Sequence, residues 1–149
     1  MENYELSLRA VIGQQQRQKE CFIVHPSEDY VVYSLGSIVV IKSLIDLTTT
    51  YLKGHEGQIC VVTSSKSGKL LATGEQVPDA GFQAALIVWD FATHEMLYRV
   101  KFHKQKIQGL SFSCDDTYLV SLGGKIDGNL VIIWNMAEGK SEGLQVASN

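Results

Sequence analysis

Three residues of the types that form a hydrolase catalytic triad occur in the last third of the chain: His103, Ser121 and Asp127. A serine acts as a nucleophile only where its Oγ is exposed beside a base and close to groups that stabilise an oxyanion. Ser121 falls in the middle of a predicted strand, and no Gly-x-Ser-x-Gly turn surrounds it. The pattern therefore favours a structural role for these residues, and we predict that the chain has no catalytic residue.

The remaining polar motifs predict no metal, no cofactor and no small-molecule substrate. The four histidines lie in separate predicted loops without metal-ligand spacing: His25, His55, His94 and His103. We expect His25 and His94 to be surface turn residues. The glycine pair at 123–124 lacks the remainder of a phosphate-binding loop, so it indicates a turn between strands.

Composition indicates a packed intracellular domain. The chain has 149 residues, 45% of them apolar, and a formal net charge of −3, which suggests no nucleic-acid surface. No apolar run approaches the ~20 residues that span a bilayer, so no membrane partner is predicted. The acidic N-terminus predicts no secretory signal. The odd number of scattered cysteines indicates reduced thiols in the cytoplasm: Cys21, Cys60 and Cys114.

A repeat organises the whole chain. Tyr30, Leu70 and Tyr118 follow similar polar turns and begin similar apolar segments, at spacings of 40 and 48 residues. The eight extra residues fall within 75–83. Each unit contains four short stretches rich in β-branched and aromatic residues, which is typical of a propeller blade. We predict an all-β fold of about three four-stranded antiparallel blades, with bounds of about 8–53, 54–101 and 102–149.

Two units carry a spaced pair of motifs. Gly54-His55 is followed by Trp89-Asp90, and Phe102-His103 is followed by Trp134-Asn135. This pattern resembles the WD40-repeat β-propeller family. The resemblance implies that a His, a Ser or Thr, an Asp and a Trp form hydrogen bonds in series within a blade.

The resemblance assigns these blade-tying roles residue by residue. In the third blade they fall to His103, Ser121, Asp127 and Trp134, and in the second to His55, Thr73 and Trp89. The carboxylate of the second blade is left open, because Gln83 stands at the usual place and Asp79 lies further from the Trp. The first blade lacks the set, and Ile41 stands where a Trp is expected.

A narrower resemblance covers residues 8–135. The segments 31–41, 81–90 and 118–124 are similar to the N-terminal blades of the cilia- and flagella-associated WD-repeat proteins found inside doublet microtubules. The echinoderm microtubule-associated protein-like group is a more distant match. The resemblance implies a non-enzymatic scaffold of the cytoskeleton in the axoneme of a cilium or flagellum, whose partners are tubulin and other axonemal proteins.

Two alternatives remain open. The first is a general cytoplasmic WD40 adaptor in another multiprotein complex. The second, less favoured, is a propeller enzyme whose active residues lie in blades outside this chain. Closed propellers have about 4–8 blades, so three blades predict an incomplete propeller that is a poor monomer on its own.

Two groups of residues are candidates for partner contact. The longer loop of the second blade offers Val77, Pro78 and Phe82, and the densest basic cluster contains Lys101, Lys104 and Lys106. A tolerated surface loop and a binding loop are equally compatible with the first group. The second group is a solvated loop or a contact to an acidic partner.

Overall fold

The computed structural model describes residues 6–8, 19–79, 81–136 and 145–147. In this part of the chain, twelve β-strands form three four-stranded antiparallel sheets, which confirms the predicted all-β fold. Two single 3-10 turns lie at Lys19–Cys21 and Lys125–Asp127. Within the same described ranges, no helix is long and apolar enough to cross a membrane.

Each sheet is a meander of strands that are consecutive in the chain. The first sheet contains β1 to β4: Phe22–Val24, Tyr30–Leu35, Ile38–Ser43 and Thr49–Lys53. The second contains β5 to β8: Gln58–Ser64, Leu70–Gln76, Gln83–Asp90 and Met96–Lys104. The third contains β9 to β12: Ile107–Phe112, Tyr118–Gly123, Val131–Asn135 and Gln145–Ala147.

The second sheet packs between the other two. In β7, every residue from Ala84 to Trp89 is buried, because both faces of the strand are covered. One face forms a core with the first sheet that includes Val32, Ile41, Leu71, Ile87 and Trp89. The other face forms a core with the third sheet that includes Ala72, Leu86, Val88, Ile107 and Leu119.

The third sheet is covered on one face more than on the other. Along β10, Leu119 and Ser121 are buried, while Val120 and Leu122 are only half-buried. On β11, Ile133 is exposed beside the buried Ile132. This alternation is the pattern of a sheet with one face against a core and one face toward solvent.

His25 connects the first sheet to the second, so the prediction that it is a surface residue is wrong. Its ring stacks on Phe91 at a centroid distance of 3.8 Å, and only 5% of the residue is exposed. The Ser27 backbone N–H donates to Nδ1, so Nε2 carries the proton and donates to the Gly68 carbonyl at 2.8 Å. His94, in contrast, is an exposed turn residue with φ of 61°, as expected.

Asp116 makes the corresponding connection between the third and second sheets. Its two carboxylate oxygens accept hydrogen bonds from the backbone N–H groups of Lys66 and Ser67, at 2.8 and 3.1 Å. The turns before β2, β6 and β10 therefore lie in a row along one rim of the molecule. Polar side chains join successive sheets at this rim, while apolar side chains join them through the cores.

The register of the first sheet corrects one assignment. Leu71 pairs with Trp89 in the second sheet, and the equivalent residue of the first sheet, Val31, pairs with Lys42. Lys42 therefore takes the place of the Trp, and Ile41 does not. Because side chains alternate between faces, this shift of one residue places Ile41 in the core shared with the second sheet.

Candidate functional site: two buried hydrogen-bond chains and a rim cleft

The four residues assigned to the third blade lie in one hydrogen-bonded chain. Trp134 on β11 donates its Nε1–H to Ser121 Oγ on β10 at 2.9 Å, and this Oγ lies 2.8 Å from His103 Nε2. On the other side of the ring, His103 Nδ1 lies 3.1 Å from Asp127 Oδ2. The Lys104 backbone N–H donates to Asp127 Oδ1 at 2.7 Å. The chain thus links three strands and the 3-10 turn.

The second blade contains an equivalent chain with a different carboxylate. Trp89 donates its Nε1–H to Thr73 Oγ1 at 2.9 Å, and His55 Nε2 lies 2.7 Å from the same oxygen. His55 Nδ1 lies 2.9 Å from Glu75 Oε2. Glu75 belongs to β6 and is fully buried.

Sequence reasoning missed Glu75 because it looked for the carboxylate in the segment just before the Trp. Neither of the two residues considered there fills the role, since Asp79 and Gln83 are both exposed. The signal that could have found Glu75 is its position two residues after Thr73 on the same strand, which places both side chains on one face.

Backbone donors stabilise the buried charge of Glu75. Its Oε1 accepts from the Ala85 N–H at 2.9 Å, and its Oε2 accepts from the Gly57 N–H at 3.1 Å. Burial raises the pKa of Glu75, but hydrogen bonds from His55, Ala85 and Gly57 outweigh burial and lower this pKa to about 2. Glu75 is therefore ionised at neutral pH although it has no exposed surface.

The electrostatics of His103 fix the direction of hydrogen bonding in the third blade. Burial lowers the pKa of His103, and the opposing effect of Asp127 does not fully restore it. The neutral ring donates from Nδ1 to Asp127, which leaves Nε2 to accept from the Ser121 hydroxyl. Every donor in the chain then faces an acceptor, as a buried polar network requires.

The distances in the third blade match those of a catalytic triad, but its surroundings do not. Ser121 is 0% exposed, and its Oγ already accepts a hydrogen bond from Trp134. A nucleophilic oxygen needs a free lone pair and an approach path for the substrate. The arrangement can hold strands together, and it offers no reacting atom to a substrate.

A cleft lies on the rim opposite the turns before β2, β6 and β10, and most of the candidate contact residues line it. Five of the six line it: Val77, Pro78, Phe82, Lys101 and Lys104. Ile126, in the 3-10 turn after β10, also contributes to its lining. Lys106 is not among the lining residues and is half-buried in the connection before β9.

Two expectations for these residues need correction. Val77 is only 9% exposed, so its side chain belongs to the interior rather than to a contact surface. Lys101 and Lys104 lie on β8, which extends to Lys104, and not in a loop. Pro78 is exposed as expected, and Phe82 exposes 65% of its surface.

The loop from Val77 to Phe82 is held at both ends by one residue. The Gln105 backbone N–H donates to the Phe82 carbonyl at 3.0 Å, and the Val77 N–H donates to the Gln105 carbonyl at 2.8 Å. Within the loop, the Phe82 N–H donates to the Asp79 carbonyl at 3.1 Å. The Phe82 backbone is therefore hydrogen-bonded at both its N–H and its carbonyl, while its side chain is exposed to solvent.

Charged residues at the cleft are unequally paired. Glu56 binds Arg99 at 2.9 Å and Lys101 at 3.0 Å, so two cations share one carboxylate. The side-chain hydrogen bond from Arg99, followed by that from Lys101, holds the pKa of Glu56 below its usual value. Lys104 forms no ion pair with any residue that the structure describes.

Comparisons with known proteins agree with this architecture. The family model "WD domain, G-beta repeat" matches residues 46–90, which include β4 to β7. The solved structure of U3-55K superposes with a TM-score of 0.71 over 91% of this chain and 41% of that chain, at 20% sequence identity. The chain is therefore a WD40-repeat protein with a propeller fold, as predicted.

Several relatives with higher sequence identity than U3-55K are named for cilia and flagella. Cilia- and flagella-associated protein 52 of Mus musculus is 41% identical over 134 residues, which are 90% of this chain and 21% of that protein. Its counterpart from Chlamydomonas reinhardtii is 36% identical over 91% of this chain and 22% of its own length. WD repeat-containing protein 90 of Mus musculus is 27% identical over 89% of this chain. The chain spans about a fifth of the length of the first two relatives.

Proposed function

We propose that this chain belongs to a non-enzymatic scaffold of the ciliary or flagellar axoneme, which binds tubulin and other axonemal proteins inside doublet microtubules. One observation carries the proposal: nine-tenths of the chain is similar to cilia- and flagella-associated protein 52 from both a mammal and an alga. The same blades in such distant organisms favour a role in the structure that these organisms share.

The distribution of chemistry in the fold supports a binding role. Each possible acid, base or nucleophile of the two buried series already has a hydrogen-bond partner within the series, as the contacts of Ser121 and Thr73 illustrate. The surfaces left for function are the turns and loops at the two rims and the outer strands. Such surfaces suit recognition of proteins by shape and charge.

The uneven covering of the third sheet supports the view that these blades belong to a larger propeller. Val120 and Leu122 of β10 expose the face that, in the second sheet, packs against the next blade. We propose that a further blade covers this face, because apolar sheet faces of this kind are normally buried.

Fractionation of cilia tests the proposal. A tagged form of the chain, expressed in a ciliated cell, is expected to remain with doublet microtubules after detergent extraction and high-salt washing. Crosslinking of the washed axonemes is then expected to join it to tubulin. Release of the protein with the soluble fraction would contradict the axonemal role. Recovery in a soluble complex from cells without cilia would instead favour the cytoplasmic adaptor.

A further inference from the structure

We infer that the rim cleft between Phe82 and Ile126 is a docking site for a protein segment that carries one apolar side chain next to an Asp or Glu. This inference deepens the proposed scaffold function, since it names a binding surface and the chemistry of its partner. It depends on the two walls of the cleft, which expose Phe82 and Ile126, and on the charge of Lys104.

The first wall exposes the aromatic ring of Phe82. Phe82 is 65% exposed although its backbone is held by Gln105 and by the Asp79 carbonyl. A residue whose backbone is already held by hydrogen bonds loses little conformational entropy when a partner binds, and exposed aromatic residues are the usual anchors of protein interfaces. The neighbouring Pro78 is also exposed and adds apolar surface.

The second wall is held by the buried chain of the third blade. Ile126 is 48% exposed and lies in the 3-10 turn directly before Asp127. Asp127 is anchored to the His103 ring and accepts from the Lys104 N–H with both oxygens, at 2.7 and 2.8 Å. The buried network thereby fixes the turn that carries Ile126, an exposed isoleucine that lines the same cleft as Phe82.

The charged residues that line the cleft indicate the chemistry of the partner. Lys104 lines the cleft without an ion pair among the described residues, whereas the charge of Lys101 is shared with Glu56. Asp79 and Glu56 also line the cleft, so a polyanion such as a nucleic acid would meet repulsion there. A single carboxylate beside an apolar group satisfies Lys104 and leaves the acidic residues of the rim in solvent. An acidic protein segment therefore fits better than a nucleic acid.

Selection from a random peptide library displayed on phage tests this inference with the purified full chain. The expected peptides share an apolar residue next to Asp or Glu. A fluorescein-labelled peptide of this type is then titrated by fluorescence anisotropy. Phe82→Ser and Lys104→Glu are each expected to weaken its binding about tenfold, and Lys104→Glu is expected to favour peptides with Lys or Arg in place of the acid.

Two control variants change comparable residues elsewhere. Ile45→Ser alters an apolar side chain that is 74% exposed in the first blade, and Lys69→Glu alters an exposed lysine at the opposite end of β6. Both should bind the peptide as the unaltered chain does. All four variants are expected to keep the circular dichroism spectrum and the urea midpoint of the unaltered chain, because the changed side chains are exposed.

Three results would overturn the inference: no enrichment of any peptide, enrichment of peptides without an acidic residue, or binding by Phe82→Ser and Lys104→Glu that is as tight as binding by the unaltered chain. These results concern only the purified chain. A protein that binds such peptides but leaves the axoneme on washing would contradict the proposed ciliary role alone, so the two failures are distinguishable.

Discussion

Glu75 and Gly123 occupy the same place in successive blades, two residues after the hydroxyl that joins the His to the Trp. In the second blade, Glu75 supplies the carboxylate from the strand itself. In the third blade, the glycine leaves room for Asp127, which reaches the same ring nitrogen from the following 3-10 turn. One hydrogen-bonding requirement is therefore met from two different backbone positions.

This exchange predicts that Gly123→Ala destabilises the protein. A Cβ on Gly123 would lie 2.6 Å from His103 Nδ1 and would overlap the carboxylate of Asp127. We expect a loss of about 2 kcal/mol in the free energy of unfolding, measured by urea denaturation, since overpacking of a rigid site has this order of cost.

The neighbouring glycine provides the matched control for this substitution. A Cβ on Gly124 would make an ordinary contact with Lys106 at 3.6 Å. Gly124→Ala should therefore change the free energy of unfolding by less than about 0.5 kcal/mol. Equal effects of the two alanines would show that the space around the His103–Asp127 pair is not limiting.

The second prediction concerns the stability of the protein at low pH. The pKa of Glu75 falls from an ordinary value of 4.5 to about 2 in the folded protein. Between these two values the unfolded chain binds the proton more readily than the folded chain. The contribution of Glu75 to stability is thus fully present above pH 4.5 and is lost as the pH falls toward 2.

Glu75→Gln isolates this contribution. The variant should be less stable than the unaltered chain at neutral pH, and the difference between the two should shrink as the pH falls from 4.5 toward 2. Urea unfolding of both proteins at a series of pH values measures the difference in their free energies of unfolding. A difference that stays constant with pH would mean that the charge of Glu75 does not contribute to folding.

Much of the fold could be predicted because its signals are local. β-Branched residues, polar turns and the repeated Trp define the strands of the second and third sheets without reference to distant residues. The third-blade set, from His103 to Trp134, could be named because each of its members matches the family motif. Glu75 could not be named this way, because its carboxylate reaches the site from a strand position that the motif does not include.

The contact of His25 between the first and second blades was not predictable from local pattern. His25 is 43 residues from Gly68, the carbonyl to which it donates, and no spacing rule connects the two. The equivalence of Lys42 to Trp89 depends on strand register, which the sequence alone did not fix. A register shift of one residue moves a side chain to the other face of the sheet. The cleft could be predicted only in part, because the sequence suggested its two groups of residues separately and did not indicate Ile126.

The third prediction concerns the contact between the first and second blades. His25→Ala removes the stack on Phe91 and the hydrogen bond to Gly68, so we expect a loss of about 2 kcal/mol in the free energy of unfolding. His94→Asn is the control, because His94 is exposed and Asn tolerates its positive φ. If both variants unfold at the same urea concentration as the unaltered chain, His25 does not couple the two blades.

The fourth prediction concerns the buried chain of the third blade. Asp127→Ala leaves the His103 Nδ1–H and the Lys104 N–H without their acceptor, which should cost about 2–3 kcal/mol of stability. Trp134→Ala removes a donor to Ser121 together with apolar packing, and a loss of about 3 kcal/mol is expected. Asp79→Ala, which changes an exposed carboxylate, should leave the urea midpoint unaltered.

Since Asp127 also positions Ile126, its replacement should weaken peptide binding at the cleft even under conditions where the variant is folded. Unchanged urea midpoints for both Asp127→Ala and Trp134→Ala would mean that the hydrogen-bonded series does not hold these strands together.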